Sequence, residues 1–490
     1  MSAIIDIPRE RAAVAAVPKH AFIAGEWREG STGKTIAVED PSTGETIAEV
    51  ADSGVEDALA ALTSAADRQA EWAAWAPRER GEILRRAYEL LVARTEELAL
   101  VMTLEMGKPL AESRGEIAYA AEFFRWFSEE AVRIDGSYSV APNGKGRLLT
   151  MRQPVGPVLL ITPWNFPLAM GTRKIGPAVA AGCTMVVKPA KQTPLSMLTL
   201  AAIMEEAGLP KGVLNVFVSS SSATTVEPLM SDPRLRKVSF TGSTEVGQTL
   251  VEQSAKRLLR VSMELGGNAP FLVFADADVD AAVDGAMLAK MRNGGEACTS
   301  ANRFYVHDAL HDTFVAKLTA RMAGLKVGRG VDPGVEVGPL IDDAQRGIVR
   351  ELVEDALGRG ATTGGSDFSG ERGYFYAPTV LSEVAPDSRI LQEEIFGPVA
   401  PTVRFTDDDA AIAAANSTDY GLVAYAYTRD TQRAFKVIEQ LDSGMVGLNQ
   451  GIVSNAAAPC GGVKLSGYGR EGGAEGIDEY LYTKYAGLNV

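Results

Sequence analysis

The stretch Val155-Gly-Pro-Val-Leu-Leu-Ile-Thr-Pro-Trp-Asn-Phe-Pro167 joins a short apolar run, Val155–Ile161, to a turn pinned by two prolines. An apolar run this short, bounded by Gly and Pro, reads as a strand buried on both faces. Runs of the same kind follow at Thr184–Val187, Val213–Val218 and Val238–Phe240. Helical stretches separate them, such as Pro194–Ala207, which Gly208 and Pro210 close. Alternating strands and helices predict an α/β fold: a parallel sheet with helices on both faces. Such a sheet binds ligands at the carboxyl ends of its strands, near the topological switch.

The pattern repeats further along. Phe271–Phe274, Arg303–Val306, Val423–Tyr427 and Met445–Leu448 read as strands, with helices at Val279–Met291, Ala309–Ala323 and Thr431–Gln440. A second α/β domain is expected, its boundary near Glu264–Asn268. Upstream, apolar residues at 83, 87, 90, 91, 98, 101 and 102 predict one packing helix over Pro77–Met106, stopped by Gly107 and Pro109. Gly136–Arg152 and Gly467–Val490 belong to neither sheet. Asn143-Gly144 predicts a hairpin with a tight primed turn, whose open edge a partner subunit often covers.

At 490 residues, two or more domains are expected. A formal charge of −15 argues against a protein that coats nucleic acid or an anionic membrane. No apolar run approaches the ~20 residues that span a bilayer. The first segment, Met1–Val17, carries Asp6, Arg9, Glu10 and Arg11, so a cleaved export signal is not expected. Cys183, Cys298 and Cys460 are few, odd in number and far apart, which is no disulfide framework and suits a reducing cytoplasm.

Cys183, in Ala-Ala-Gly-Cys-Thr-Met-Val-Val, reads as buried filler. Cys298 sits in Asn293-Gly-Gly-Glu-Ala-Cys-Thr-Ser, a Gly-containing loop just past a helical segment, where a nucleophile can be displayed. A thiol nucleophile needs a base or a lowered pKa. His307 and His311 are four apart but lack a third ligand or a zinc motif, so surface positions and no metal are expected. Glu264, in Glu-Leu-Gly-Gly-Asn, is either a turn cap or a partly desolvated base. Asn165 is either a turn former or an amide donor to an oxyanion. Phe240-Thr-Gly-Ser-Thr-Glu-Val-Gly follows a strand and opens a helix whose free N–H groups suit a phosphate, although it is not the Gly-x-Gly-x-x-Gly fingerprint.

Seven stretches, Thr162–Pro167, Val187–Thr193, Phe240–Gly247, Met263–Asn268, Gly294–Thr299, Glu393–Pro398 and Gly461–Gly469, resemble in order the aldehyde dehydrogenase superfamily over nearly the whole chain. The resemblance implies a Rossmann-type cofactor domain (residues 1–135 and 154–263), a catalytic domain (264–465) and a small β oligomerisation element (136–153 and 466–490). It implies Cys298 as nucleophile, Asn165 and the Cys298 N–H as oxyanion donors, and Glu264 as the base that hydrolyses the thioester. Trp164, Lys188, Lys191, Gly242, Ser243, Glu394 and Phe396 are implied at the cofactor, with Glu394 on the nicotinamide ribose and Phe396 against the ring. The stretch Val218–Thr225 departs from the family, carrying a Ser run in place of a Gly-containing turn.

Within the superfamily the chain most resembles succinate-semialdehyde dehydrogenases, through Gly171-Thr-Arg-Lys, Met291-Arg-Asn and Gly451-Ile-Val-Ser-Asn. That resemblance implies Arg173, Arg292 and Ser454 around the distal carboxylate of a small aldehyde. It also implies a homodimer or homotetramer. Lys191 stands where NAD-preferring relatives often carry Glu, so NADP is expected over NAD. Ser300 replaces a second Cys that lets some relatives close an inactivating disulfide. Cys460 replaces the usual Phe of the substrate pocket, which widens it and makes glutarate semialdehyde a competitor. A broad-specificity or CoA-acylating dehydrogenase, a Cys hydrolase and an inert binding protein on the same fold are the alternatives.

Overall fold

A computed structural model describes residues 7–489 apart from Ser369 and Glu371. Residues 1–6, part of the segment read above for an export signal, lie outside the described residues. The first sheet has a parallel centre in the spatial order Leu214–Val216, Met185–Lys188, Val158–Ile161, Lys237–Thr241, Arg260–Glu264. In chain order that is 3-2-1-4-5, the mononucleotide-binding arrangement, with the switch between Val158–Ile161 and Lys237–Thr241. Antiparallel additions flank it: Ala21–Ile23 with Glu26–Arg28 on one side and Gly467–Tyr468 on the other. Gly467–Tyr468, expected with the tail element, therefore pairs with Arg260–Glu264.

Side-chain alternation explains why these strands read as unbroken apolar runs. Val158 and Leu160 pack on a core with the helices Pro77–Ala93, Leu110–Glu130, Ala169–Ala181 and Pro194–Glu206. Leu159 and Ile161 face the opposite core with Val55–Ala73 and Ser222–Ser231. Both faces are apolar, so no polar beat interrupts the run. Cys183 lies fully buried in the first core.

The second sheet runs Thr362–Gly365, Thr379–Ser382, Val399–Phe405, Ala301–His307, Ala269–Val273, Val423–Tyr427, Met445–Leu448, parallel except for Thr362–Gly365. A separate antiparallel sheet joins Ser137–Val140, Arg147–Pro154 and Leu481–Leu488.

Three expectations are corrected. The helix over Pro77–Met106 is two, Pro77–Ala93 and Thr95–Met106, because Arg94 leaves helical backbone (ψ 19°) and Glu96 and Glu97 suit a new positive N-terminus. The hairpin at Asn143-Gly144 is not closed by a two-residue primed turn; a turn in which Gly144 N donates to Ala141 O at 2.8 Å sits inside a wider loop. Val140 pairs with Arg147, leaving residues 141–146 as a wider loop in which Gly144 and Gly146 both take positive φ. His311 is buried, not on the surface, since it shares one helical face with Phe314, Leu318 and Met322.

Candidate active site

A cleft of about 430 Å³ lies at the carboxyl ends of the first sheet, at its switch point. Trp164, Asn165, Gly242, Ser243 and Glu264 line it from the sheet, and Cys298, Gln345, Glu394 and Phe396 from the second domain. Gly242 donates its N–H to Glu264 O at 3.1 Å, and Ser243 caps the helix Thr244–Ala255, its Oγ accepting from Val246 N at 3.5 Å. The hydroxyls of Thr162 and Thr241, at the ends of the two switch strands, are buried without a partner among the described residues.

The Cys298 loop owes its shape to three consecutive left-handed residues, Asn293, Gly294 and Gly295, with φ of 56°, 61° and 82°. Asn is the non-glycine residue that tolerates this region best. At Gly295 a Cβ would lie 2.2 Å from Gly397 O, so only glycine fits there. Asn293 Nδ2 donates to the carbonyls of Asn165 and Glu296, both at 3.0 Å, while its backbone N donates to Glu112 Oε2 at 2.8 Å. Asn165 Nδ2 donates to Glu296 O at 3.0 Å, which leaves its other N–H for a ligand. Asn165 O also accepts from Lys108 Nζ at 2.7 Å, and Lys108 pairs with buried Glu116 at 2.5 Å. Glu116 in turn accepts from Leu168 N and Ala169 N at 2.9 and 3.1 Å. An amide donor and a thiol from different domains are thus fixed against one another.

Burial pushes the Cys298 thiol up to about 12, with nearby Cys460 adding and Arg173 opposing. Burial also pushes Glu264 up to about 8, helped by Glu471 and countered by Arg173 and Lys174. Arg173 Nη2 lies 3.9 Å from Glu264 Oε2, and its Nε lies 2.8 Å from Glu471 Oε2. The latter contact is close but not aligned as a hydrogen bond, so Arg173 Nε and Nη2 keep unsatisfied donors. Lys174 Nζ bonds Glu471 Oε1 at 2.5 Å and Ser239 Oγ at 2.8 Å. Burial alone would raise Glu471, but Lys174 and Arg173 outweigh it and hold Glu471 below the ordinary carboxylate range. Of the two neighbouring acids, Glu471 keeps its charge and Glu264 holds a proton near neutral pH. Glu394 accepts from Gly267 N at 3.1 Å, and burial pushes it up to about 7. Phe396 meets Trp164 edge-on at 5.4 Å between ring centres. A thiol, a base and an amide donor around one cleft can form, stabilise and hydrolyse an acyl-enzyme.

The aldehyde dehydrogenase family model matches residues 27–486. The chain belongs to the aldehyde dehydrogenase family. It is 59% identical over 444 residues to a succinate-semialdehyde dehydrogenase of Paenarthrobacter nicotinovorans, covering 90% of this chain and 98% of that one. A glutarate-semialdehyde dehydrogenase of Pseudomonas putida is 48% identical over 474 residues, covering 96% and 98%. The crystal structure of an Escherichia coli NADP-dependent enzyme superposes with a TM-score of 0.95 at 48% identity, covering 97% and 98%. The fold class read from the sequence is thereby that of the family, and the chain is an oxidoreductase of it.

Not every residue implied by the aldehyde dehydrogenase resemblance lines the cleft. Arg173, Arg292, Ser454 and Cys460 stand behind it. Arg292 Nη1 donates to Ser454 Oγ at 2.9 Å, and its guanidinium lies over Phe166 and Tyr119, 4.9 and 5.6 Å from the ring centres. Cys460 is bridged to Glu471 through backbone bonds of 2.7 and 2.8 Å, and burial pushes its thiol up to about 11 against the pull of Arg173. Lys188 ends the strand next to Val158–Ile161, and burial pushes it down to about 8, with Lys191 adding. Lys191 is exposed on the following turn. The Ser run opens the helix Ser222–Ser231, and Ser220 Oγ bonds Asp52 Oδ2 at 2.6 Å.

Sequence reasoning missed Lys108, Glu112, Glu116, Lys174 and Glu471. Glu116 carried a signal: it falls on the same helical face as Ile117, Ala120, Phe123 and Phe127, and an acid on an apolar face asks for a buried partner. Glu471 carried none. Among the described residues no His, Cys, Asp and Glu group could hold a metal ion, and no helix is long and apolar enough to cross a membrane.

Proposed function

We propose that the protein oxidises succinate semialdehyde to succinate through a thioester on Cys298 that water hydrolyses. The observation that carries this reading is the Arg292–Ser454 pair, stacked on Phe166 and Tyr119 behind the nucleophile, with the unsatisfied Arg173 donors beside it. Guanidinium donors at that place suit a carboxylate distal to the reacting carbon. Two of the relatives above bear the names of semialdehyde dehydrogenases whose substrates end in a carboxylate. Comparing kcat/KM for succinate semialdehyde and butanal tests it: a strong preference that Arg292→Ala erases supports the clamp. Equal use of both aldehydes overturns the substrate and leaves the family chemistry standing.

In this reading the Cys298 thiol gives its proton to solvent as Sγ attacks the aldehyde carbon, and the oxyanion takes N–H bonds from Asn165 Nδ2 and Cys298 N. A bound nicotinamide dinucleotide supplies the hydride acceptor. Glu264 then takes a proton from water as the hydroxide attacks the thioester carbonyl, the C–S bond breaks, and the departing thiolate takes up that proton to restore the thiol. The cleft fits such a cofactor: the helix N-terminus at Gly242 and Ser243 suits its pyrophosphate, and the orphaned Thr162 and Thr241 hydroxyls face the switch point. Glu394, Phe396 and Trp164 would hold the nicotinamide half. Lys188, at the carboxyl end of its strand, and Lys191, on the turn after it, are two cations that favour NADP over NAD, and the solved relative is named an NADP-dependent enzyme.

Glutarate semialdehyde is the second reading. It is supported by Cys460, a small side chain buried beside Arg173 where the resemblance places a Phe, which would leave space for one more methylene. We assign residues 1–135 and 154–263 to cofactor binding, 264–465 to catalysis, and 136–153 with 466–490, apart from the Gly467–Tyr468 strand of the first sheet and Glu471 at the active site, to self-association as a homodimer or homotetramer in a reducing cytoplasm. Exposed Tyr138, Val140 and Phe435, beside the open edge strands Ser137–Val140 and Met445–Leu448, support that assembly.

A further inference from the structure

A second cavity, of about 1060 Å³, opens at the opposite, amino-terminal ends of the first sheet. Gly156 and Pro157 precede the strand Val158–Ile161, Ala181 precedes Met185–Lys188, and Arg234 and Arg236 precede Lys237–Thr241. Its outer walls are the Trp75–Pro77 turn and the Arg147–Pro154 and Leu481–Leu488 strands. It shares no lining residue with the Cys298 cleft.

Arg80, Arg152, Arg234 and Arg236 line this cavity, and no Asp or Glu does. In a chain of net charge −15 such a concentration of one sign is conspicuous. Arg80 is the telling residue, with only 5% of its surface exposed. Its Nε donates to Ala180 O at 3.1 Å and its Nη1 to Trp75 O at 2.5 Å. Among the described residues it pairs with no carboxylate, and its Nη2 has no protein acceptor. A guanidinium cannot shed its proton, so a buried one without a counter-charge is costly. Arg152 adds a buried Nε without a partner, its Nη2 held by Asp478 at 2.5 Å. Arg236 makes no ion pair among the described residues. Its stem lies on Gly156, where a Cβ would come within 2.7 Å of Arg236 Cγ, so the position of its head is constrained. Arg234 is already engaged by Asp232 at 2.8 Å.

We infer that this groove binds a small organic polyanion carrying at least two phosphate or carboxylate groups. Arg80 Nη2 takes one group, and Arg152 Nε with Arg236 takes another. Trp75, packed on Trp72 at 5.3 Å, offers an apolar wall for the body of the molecule. The volume suits a metabolite rather than a nucleic-acid backbone, which would need basic residues extending beyond the concavity.

The test is calorimetric titration of the full chain with inorganic pyrophosphate and, separately, with citrate. NADP is kept at saturation so that neither anion enters the Cys298 cleft. The expected result is one site per chain for at least one of the two, weakened roughly tenfold or more in both Arg236→Ala and Arg80→Gln, with kcat/KM unchanged in Arg236→Ala. Tighter binding of pyrophosphate identifies a phosphate ligand, and tighter binding of citrate a carboxylate ligand. If Arg80→Gln does not fold, Arg152→Gln replaces it. The inference falls if neither anion binds, or if binding survives in Arg236→Ala and its companion variant. It falls equally if Arg236→Glu dissociates the assembly in sedimentation while neither anion binds, because the groove then seats another copy of the chain.

Discussion

The two ends of one parallel sheet have opposite chemistry. At the carboxyl ends stand Glu264 and Glu394, pushed up to about 8 and 7 by burial, beside a neutral thiol. At the amino ends a groove is lined by four arginines and no acid, although Asp232 and Asp478 pair with two of them from outside the lining. The helices that cover the sheet run antiparallel to its strands, so their positive N-termini gather at the first end and their negative C-termini at the second. The helix Thr244–Ala255, capped by Ser243, presents one pole to the cleft. Arg80 uses the other, donating to Ala180 O in the last turn of the helix Ala169–Ala181. A sheet of this kind thus prepares two charged sites, and only one of them holds chemistry.

The largest effect that separates the two ends should come from Cys298→Ala. Turnover is expected to fall by about 10⁴-fold or more, while pyrophosphate titration at the arginine groove stays unchanged. Loss of both would break the comparison. Glu264→Gln should lower kcat by about 10²- to 10⁴-fold and leave a burst of one reduced cofactor per site, read by stopped-flow absorbance. The pH dependence has a definite sign: Glu264 serves as carboxylate, so where hydrolysis limits turnover kcat rises with pH up to about 8 and then levels. That rise should vanish in Glu264→Gln. Lys191→Glu should shift the NADP-to-NAD ratio of kcat/KM towards NAD by on the order of tenfold or more; an unchanged ratio would remove Lys191 from the cofactor site. The smallest effect belongs to Ser243→Ala, which removes the N-cap and should cost about 1 kcal/mol in urea unfolding.

How much of this was legible depended on distance along the chain. Val423–Tyr427, Met445–Leu448 and Val279–Met291 coincide with their sequence readings, because local periodicity decides a buried strand or helix. The strands Thr362–Gly365, Thr379–Ser382 and Val399–Phe405 escaped notice. The first is Thr-Thr-Gly-Gly, and the last carries Pro401 inside a strand, where a missing N–H argues against pairing. In the site, Cys298, Glu264 and Asn165 lay in motifs, whereas the groups that tune them did not. Lys174 and Glu471 meet across 297 residues, and no local pattern announces a partner that far away.

The Asn293 hub sets a limit on how the molecule breathes. Asn165 comes from the first sheet, Glu112 from a helix packed on it, and Asn293 and Glu296 from the Cys298 loop, yet one cluster of hydrogen bonds holds all four. Swinging the two halves apart would break together the three of those bonds that cross between them. A hinge at this seam would thus have to give up three contacts at once, which sets the Cys298 loop and the Asn165 turn to move as one piece.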